Sequence, residues 1–362
     1  MDVSLSETQR LIRDSIREYA EREVLFSRIR AVEASRGMDS ELWQELSALG
    51  WLALPFQERY GGQAGDLTDT GVLIEELTRR AVLIPLVETF AAGITIQRYA
   101  SEDVARDIIN RILDGSVTIS PAVLEANDRF DEFSTRFGPD GLIRGTKYFV
   151  DYGQLTSHHL VAATSEGRVG LYLVARDDPN VSAKPVTNIG KIPQAIVTYE
   201  GARAVQVADE SGYTFLRNLA RTFAGVQCVA CSQQSLDMTV AYVGMRVQFG
   251  RPIGTFQAVQ HHCANMATHT LASRFLVYEA LWKLERAKST DEEIAFAKAQ
   301  ASRTASEVPM MAHQLHGGMG LVTEYDLHFF SLRGKQAALS WGSSEECLQI
   351  VAKLIEEPTE WL

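Results

Sequence analysis

From Ser6 to Leu113 the apolar positions recur at helical spacing. Ser6-x-x-Gln9 has the form of a capping box, and Ile12, Ile16 and Tyr19 follow on one helix face. A second helix is predicted from Asp39, carrying Leu42, Leu46 and Leu49 and breaking near Gly50, ahead of Pro55. Tyr60-Gly61-Gly62 reads as a turn, and residues 70–78 and 101–113 read as further helices. Between Val117 and Ala208 the pattern changes. Gly170-Leu171-Tyr172-Leu173-Val174 and Ala195-Ile196-Val197-Thr198-Tyr199 alternate with period two, which predicts a small antiparallel β domain of roughly six to eight strands. From Tyr213 the helical pattern returns in long runs. One covers residues 223–247. Another covers 255–287, with Ala267, Leu271, Phe275, Tyr278 and Trp282 on its apolar face. Thr290-x-x-Glu293 caps a third, which ends at His316 before Gly317-Gly318, and a last helix runs from Ser343 to before Pro358. The expected protein is mostly α with a central β domain: N-terminal helices over 1–114, strands over 115–208, and a C-terminal four-helix bundle over 209–362.

Composition narrows the function classes. The chain has 362 residues, 46% hydrophobic and 22% charged, enough for a substantial core. Its net charge of -11 argues against a nucleic-acid partner, which needs clustered Lys and Arg. Residues 1–13 are polar, without the apolar core of a secretory signal, and runs such as Ala81-Val82-Leu83-Ile84 are far too short to span a bilayer. The expectation is a cytoplasmic protein with no membrane association. Cys228 and Cys231 form a C-x-x-C, but they sit in an apolar helical stretch with no second pair, so a structural role is preferred. No metal is expected. His261 and His262 are adjacent and diverge around a helix, and His313 and His316 have no acidic residue between them.

Two local motifs carry the chemistry. The first is Arg246-Val247-Gln248-Phe249-Gly250-Arg251-Pro252-Ile253-Gly254-Thr255-Phe256-Gln257, at the end of a predicted long helix. A guanidinium can bond two pyrophosphate oxygens at once, Gln248 adds a neutral donor, and Phe249 offers an apolar surface. The second is Gln314-Leu315-His316-Gly317-Gly318-Met319-Gly320, whose glycines allow a ligand to approach the backbone. Read alone, Arg246 could be a surface ion pair and the glycines a helix cap. Together, in this order and spacing, the two motifs resemble the flavin-site segments of the acyl-CoA dehydrogenase family. Trp51-Leu52-Ala53-Leu54-Pro55 through Tyr60-Gly61-Gly62 is similar to that family's N-terminal signature, and Tyr199-Glu200-Gly201-Ala202-Arg203-Ala204 is similar to the end of its β domain. The resemblance covers nearly the whole chain. It implies the acyl-CoA dehydrogenase fold and FAD as cofactor. It also implies a role for Arg246, Gln248, Phe249, Phe256, Gln257, Gln314, Leu315, His316, Gly317 and Gly318 around the ADP half of FAD, usually across a subunit interface.

The same resemblance exposes a gap. The family removes an α proton with a glutamate held at one of two places. Aligned from Arg333, the first place falls on Gly342, or on Trp341 when glycines are matched; neither can take a proton. Glu345 and Glu346 lie nearby but on another face of the helix, and read as N-terminal helix acids. The second place falls on Ala220, between Leu219 and Arg221. The family's flavin loop is replaced by Leu124-Glu125-Ala126-Asn127-Asp128-Arg129-Phe130, and its flavin-ring strand by Tyr148-Phe149-Val150-Asp151-Tyr152. The expected protein is therefore the non-catalytic subunit of a heterotetrameric acyl-CoA dehydrogenase, acting on fatty or bulky, steroid side-chain CoA thioesters. A homologous catalytic subunit would supply the glutamate, and an electron-transfer flavoprotein would take the electrons. Two alternatives stand: a self-sufficient homo-oligomeric enzyme using Glu345 or Glu346, and a scaffold or CoA-ester binder of the same fold.

Overall fold

The structure is a computed structural model that describes residues 5–356. The first four residues of the N-terminal reading and Pro358, the expected stop of the last helix, lie outside the described residues. Six helices come first: α1 (Glu7–Glu23), α2 (Phe26–Ser35), α3 (Ser40–Ala48), α4 (Leu67–Thr78), α5 (Leu86–Tyr99) and α6 (Glu102–Leu113). Eight strands follow: β1 (Ile119–Ala122), β2 (Arg136–Phe137), β3 (Leu142–Asp151), β4 (His158–Ser165), β5 (Arg168–Ala175), β6 (Val181–Val186), β7 (Gln194–Arg203) and β8 (Val205–Ala208). Then come α7 (Glu210–Met245), the small pair β9 (Val247–Gln248) and β10 (Arg251–Pro252), α8 (Gln257–Glu285), α9 (Asp291–His316), α10 (Leu327–Leu339) and α11 (Ser344–Glu356). No helix among the described residues is long and apolar enough to cross a membrane.

Contacts group the chain into two compact units. One comprises residues 30–66 and 83–220 and holds the sheet, in the order β6-β7-β3-β2-β4-β5-β8, with β1 also on β4. Its core is alternate strand residues such as Ile143, Val161, Tyr172, Val197 and Tyr199, with Phe137 stacked on Tyr172. The sheet is mainly antiparallel but not wholly so, because β1 and β2 both run parallel to β4. The reason is the entry path. Ile119 is tied to α5 through Thr89 Oγ1, 3.1 Å from its amide, and Thr118 to Ser157 at the head of β4, which aligns β1 with β4.

The other unit comprises residues up to Ile29, 67–82 and 221 onward. Both predicted capping boxes form: Ser6 Oγ accepts from Gln9 N at 3.1 Å, and Thr290 Oγ1 from Glu293 N at 3.2 Å. Gly71 lets α4 reach α8, since a Cβ there would lie 2.6 Å from Leu281 Cδ1. The apolar face expected for α8 is not its buried one. Met266, Thr270, Ser273, Val277, Ala280, Leu281 and Leu284 are buried, while Leu271 and Phe275 are 47% and 38% exposed. The inner face mixes small residues, Thr270, Ser273 and Ala280, with larger ones, and the small ones sit where the helices approach closely. Val277 packs at Gly225 of α7, and Ser273 Oγ is 2.8 Å from Thr304 Oγ1 of α9.

Candidate functional site

The first motif folds as a tight hairpin at the end of α7. β9 and β10 pair Gln248 with Arg251 and Val247 with Pro252. The turn between them places Phe249 at φ 54° and Gly250 at φ 79°, the left-handed pair of a two-residue hairpin. Glycine takes that conformation without strain; phenylalanine does not. Phe249 is also 93% exposed, so neither backbone preference nor burial explains it. Its ring meets Phe256 edge-on at 6.1 Å, and Arg251 lies over Phe256 at 4.1 Å. Arg246 is exposed, and no carboxylate pairs with it among the described residues. The surface ion pair considered from sequence is thus not what holds it. Gln257 begins α8 beside the hairpin, exposed.

The second motif ends α9. Gln314 is exposed, and Gly317 and Gly318 face open space: a Cβ on either would meet nothing within 4 Å. Leu315 and His316 point the other way. Leu315 packs against the cluster of Leu236, Met266, Val308, Ala312 and Leu327. His316 is 3% exposed, its Nδ1 2.7 Å from Ala312 O and its Nε2 3.0 Å from the Tyr325 hydroxyl. A carbonyl only accepts, so Nδ1 carries the proton and Nε2 accepts from Tyr325. Burial lowers its pKa, which keeps this neutral form. The ring stacks on Tyr242 at 4.4 Å, and Tyr242 OH donates to His316 O at 3.3 Å. Tyr242 lies on α7 one turn before Arg246, so this stack brings the two motifs together. An uncommitted guanidinium, two exposed amides, an exposed ring and an open glycine pair suit a phosphate-bearing nucleotide.

The predicted base positions lie at the break between α10 and α11, where Trp341 has φ 60° and Gly342 has φ 109°. Two buried cations hold it. Arg221 Nε donates to Trp341 O at 2.9 Å. Lys298 is 1% exposed and donates to Ser302 Oγ at 2.7 Å and to Ala338 O and Gly342 O, each at 3.0 Å. Burial lowers the Lys298 pKa, while three acceptors favour the ammonium. A Cβ at Gly342 would sit 3.8 Å from Arg221 Nη2 and 3.4 Å from Cys347 Sγ. The second base position, Ala220, is the chain neighbour of Arg221 and is buried. Glu345 and Glu346 are exposed. Glu346 accepts from Ser343 N at 2.7 Å while Ser343 Oγ accepts from Glu346 N at 3.2 Å, a reciprocal helix cap.

Sequence reasoning missed three groups. Lys298 is one; its signal was a lysine inside the alanine-rich stripe Ala295, Ala299, Ser302, Ala305. Arg221 is another, visible only as the neighbour of Ala220. The third is Glu88, in the first turn of α5, whose carboxyl is raised to about 8, chiefly by burial and then by Asp151. The segment read from sequence as the changed flavin loop has a fixed role. Glu125 is buried and accepts from Lys147 Nζ at 2.8 Å, Ser134 N at 2.7 Å and Thr135 N at 3.0 Å. Burial pushes its pKa up, but the bonds from Lys147 and Ser134 outweigh this and hold it at about 2. In the segment standing for the flavin-ring strand, β3 bulges at Phe149, which has φ 53° and is 54% exposed. Cys228, Cys231 and Cys347 are buried free thiols, their pKa values raised by burial. No cluster of three or more His, Cys, Asp or Glu among the described residues could hold a metal ion.

Both helical regions of the chain match one known family. The acyl-CoA dehydrogenase N-terminal domain profile matches residues 6–116, and the C-terminal domain profile matches 215–356. The probable acyl-CoA dehydrogenase FadE25 of Mycobacterium tuberculosis is 30% identical, over 92% of this chain and 92% of that protein. The chain belongs to the acyl-CoA dehydrogenase family. Members are FAD-dependent oxidoreductases acting on CH–CH bonds, and FAD is the cofactor. Among solved structures, a variant of the Tcur3481-Tcur3483 steroid ACAD superposes with a TM-score of 0.92 at 29% identity, covering 98% of this chain and 99% of that one. The ChsE4-ChsE5 complex from Mycobacterium tuberculosis also gives 0.92, at 22% identity over 99% and 100%, a likeness of fold.

Proposed function

We propose that this chain is the non-catalytic subunit of a heteromeric acyl-CoA dehydrogenase and holds the ADP half of the FAD. Arg246, Gln248, Phe249, Phe256, Gln257, Gln314, Gly317 and Gly318 face the cofactor, and Leu315 and His316 support them from behind. The observation that carries the reading is the α10–α11 break. At the family's base position stands backbone held by Arg221 and Lys298, with no acid side chain at either alignment of the break. When bound, the flavin takes up the hydride lost from the acyl β carbon. Arg246 supplies a charge-assisted, two-pronged grip on pyrophosphate, and the open glycines let its oxygens reach backbone. The base comes from a homologous catalytic subunit, the substrate is a fatty or steroid side-chain CoA thioester, and electrons leave through an electron-transfer flavoprotein. The paired chains of the ChsE4-ChsE5 complex and the Tcur3481-Tcur3483 steroid ACAD support this reading. The placement is cytoplasmic.

A second reading, a self-sufficient enzyme with an unusual base, draws support from Glu88. A carboxyl raised to about 8 suits proton abstraction near neutrality. One experiment separates the readings. The chain is purified alone and with its partner, and flavin absorbance and dye reduction with acyl-CoA substrates are measured. The heteromer reading expects colour and turnover only in the pair. A yellow, active single chain whose turnover is lost in Glu88→Gln establishes the second reading.

A further inference from the structure

A cavity of about 240 Å³ lies among α1, α4, α7 and α8 and shares no residue with either flavin motif. Four arginines line it, Arg13, Arg17, Arg79 and Arg274, with only two carboxylates, Glu75 and Glu76. Among the described residues, Arg13 and Arg79 are balanced only by Asp14 and Asp237, which lie outside the lining and are at least partly exposed. The two lining carboxylates are already taken. Arg17 forks onto Glu76 through Nε at 3.0 Å and Nη2 at 2.7 Å. Glu75 accepts from Arg274 Nη2 at 2.5 Å and from the Tyr278 hydroxyl at 2.8 Å. Arg79 pairs with Asp237 at 2.6 Å, and Arg13 with Asp14 at 2.7 Å. Each guanidinium has five N–H donors, and these contacts leave donors in excess on all four. A purely structural ion network closes on itself. This one encloses many times the roughly 10–15 Å³ that one water needs.

We propose that this cavity is a binding site for a small oxyanion, a short dicarboxylate or inorganic phosphate. The guanidiniums donate N–H bonds to its oxygens, the part-buried Glu75–Arg274–Tyr278 network fixes the wall, and Phe275 closes one side. Isothermal titration of the full-length protein, with its partner where the pair forms, tests this. Sodium succinate and sodium phosphate serve as separate probes against a constant sodium chloride background. Saturable binding of one anion per chain with Kd near or below about 1 mM is expected for at least one probe. Succinate alone identifies a carboxylate site, and phosphate alone a phosphate site. Arg13→Gln, which gives up only a surface pair, should weaken binding at least tenfold. Arg17→Lys keeps the charge but loses the fork and should weaken it less. Arg303→Gln, paired with Glu307 on an exposed face of α9, should leave Kd within twofold. No saturation with either probe overturns the proposal. So does an unchanged Kd in Arg13→Gln, or an equal loss in Arg303→Gln, which reduces the effect to general charge screening.

Discussion

The hairpin after α7 and the break between α10 and α11 are the places where the proposed function puts the cofactor's ADP half and the missing base, and this chain builds them in opposite ways. At the hairpin, polar groups face outward, the Arg246 guanidinium has no carboxylate partner among the described residues, and a phenylalanine holds a left-handed turn with its ring in solvent. At the break, Arg221 and Lys298 are buried and donate to the chain's own carbonyls. A site that meets a ligand leaves its donors unsatisfied within the chain; a site that has become structure satisfies them internally.

The strongest way to test this contrast is to remove the internal lock. Lys298→Met strands three buried acceptors and should destabilise the protein by on the order of 3 kcal/mol, read from urea unfolding, with FAD affinity of the assembled enzyme unchanged. If flavin affinity falls while stability holds, the break is a ligand site after all. Arg246→Ala should do the reverse. A charge-assisted pair to phosphate contributes about 1.5–3 kcal/mol, so the FAD dissociation constant should rise roughly ten- to a hundredfold at about 1.4 kcal/mol per decade. Arg246→Lys should recover part of it. An unchanged flavin titration removes Arg246 from the cofactor site.

Restoring an acid sharpens the comparison further. Gly342→Glu must take φ 109° at a strain of roughly 1–3 kcal/mol, and its side chain would start 3.8 Å from Arg221. That neighbour favours the carboxylate and lowers its basicity, so the single chain should remain inactive. Measurable dye reduction would falsify the view that the break is closed to catalysis. The smallest effect is expected from Glu345→Gln with Glu346→Gln. Turnover of the pair should stay within a few-fold, because a general base contributes roughly 10²–10⁴-fold and these acids are exposed. Stability should fall by roughly 0.3–1 kcal/mol as the Glu346 cap and the helix-start charge are lost.

What was legible in the sequence follows from range. Capping boxes at Ser6 and Thr290 are local patterns whose partners lie within a few residues, and they form as read; the helix break read at Phe249-Gly250 is in the structure the turn of a small hairpin. Helix α5 has no period to read, since Leu86 to Ile96 is buried on nearly every side. Leu271 and Phe275 read as inward because they are large and apolar, yet the packed face of α8 lies a step around the helix, on Met266, Thr270, Ser273, Val277, Ala280, Leu281 and Leu284. Lys298 was invisible as a site group because its acceptors, Ala338 O and Gly342 O, lie 40 and 44 residues away. No short window holds both ends of such a bond.

The cysteines make this contrast accessible to labelling chemistry. Cys228, Cys231 and Cys347 are buried, out of reach of a reagent in solution. Cys263, in the second turn of α8 close to the hairpin in sequence, is the partly exposed one. A maleimide dye should therefore attach at one position without mutagenesis. It would report on the hairpin proposed to face the flavin and leave the locked break untouched.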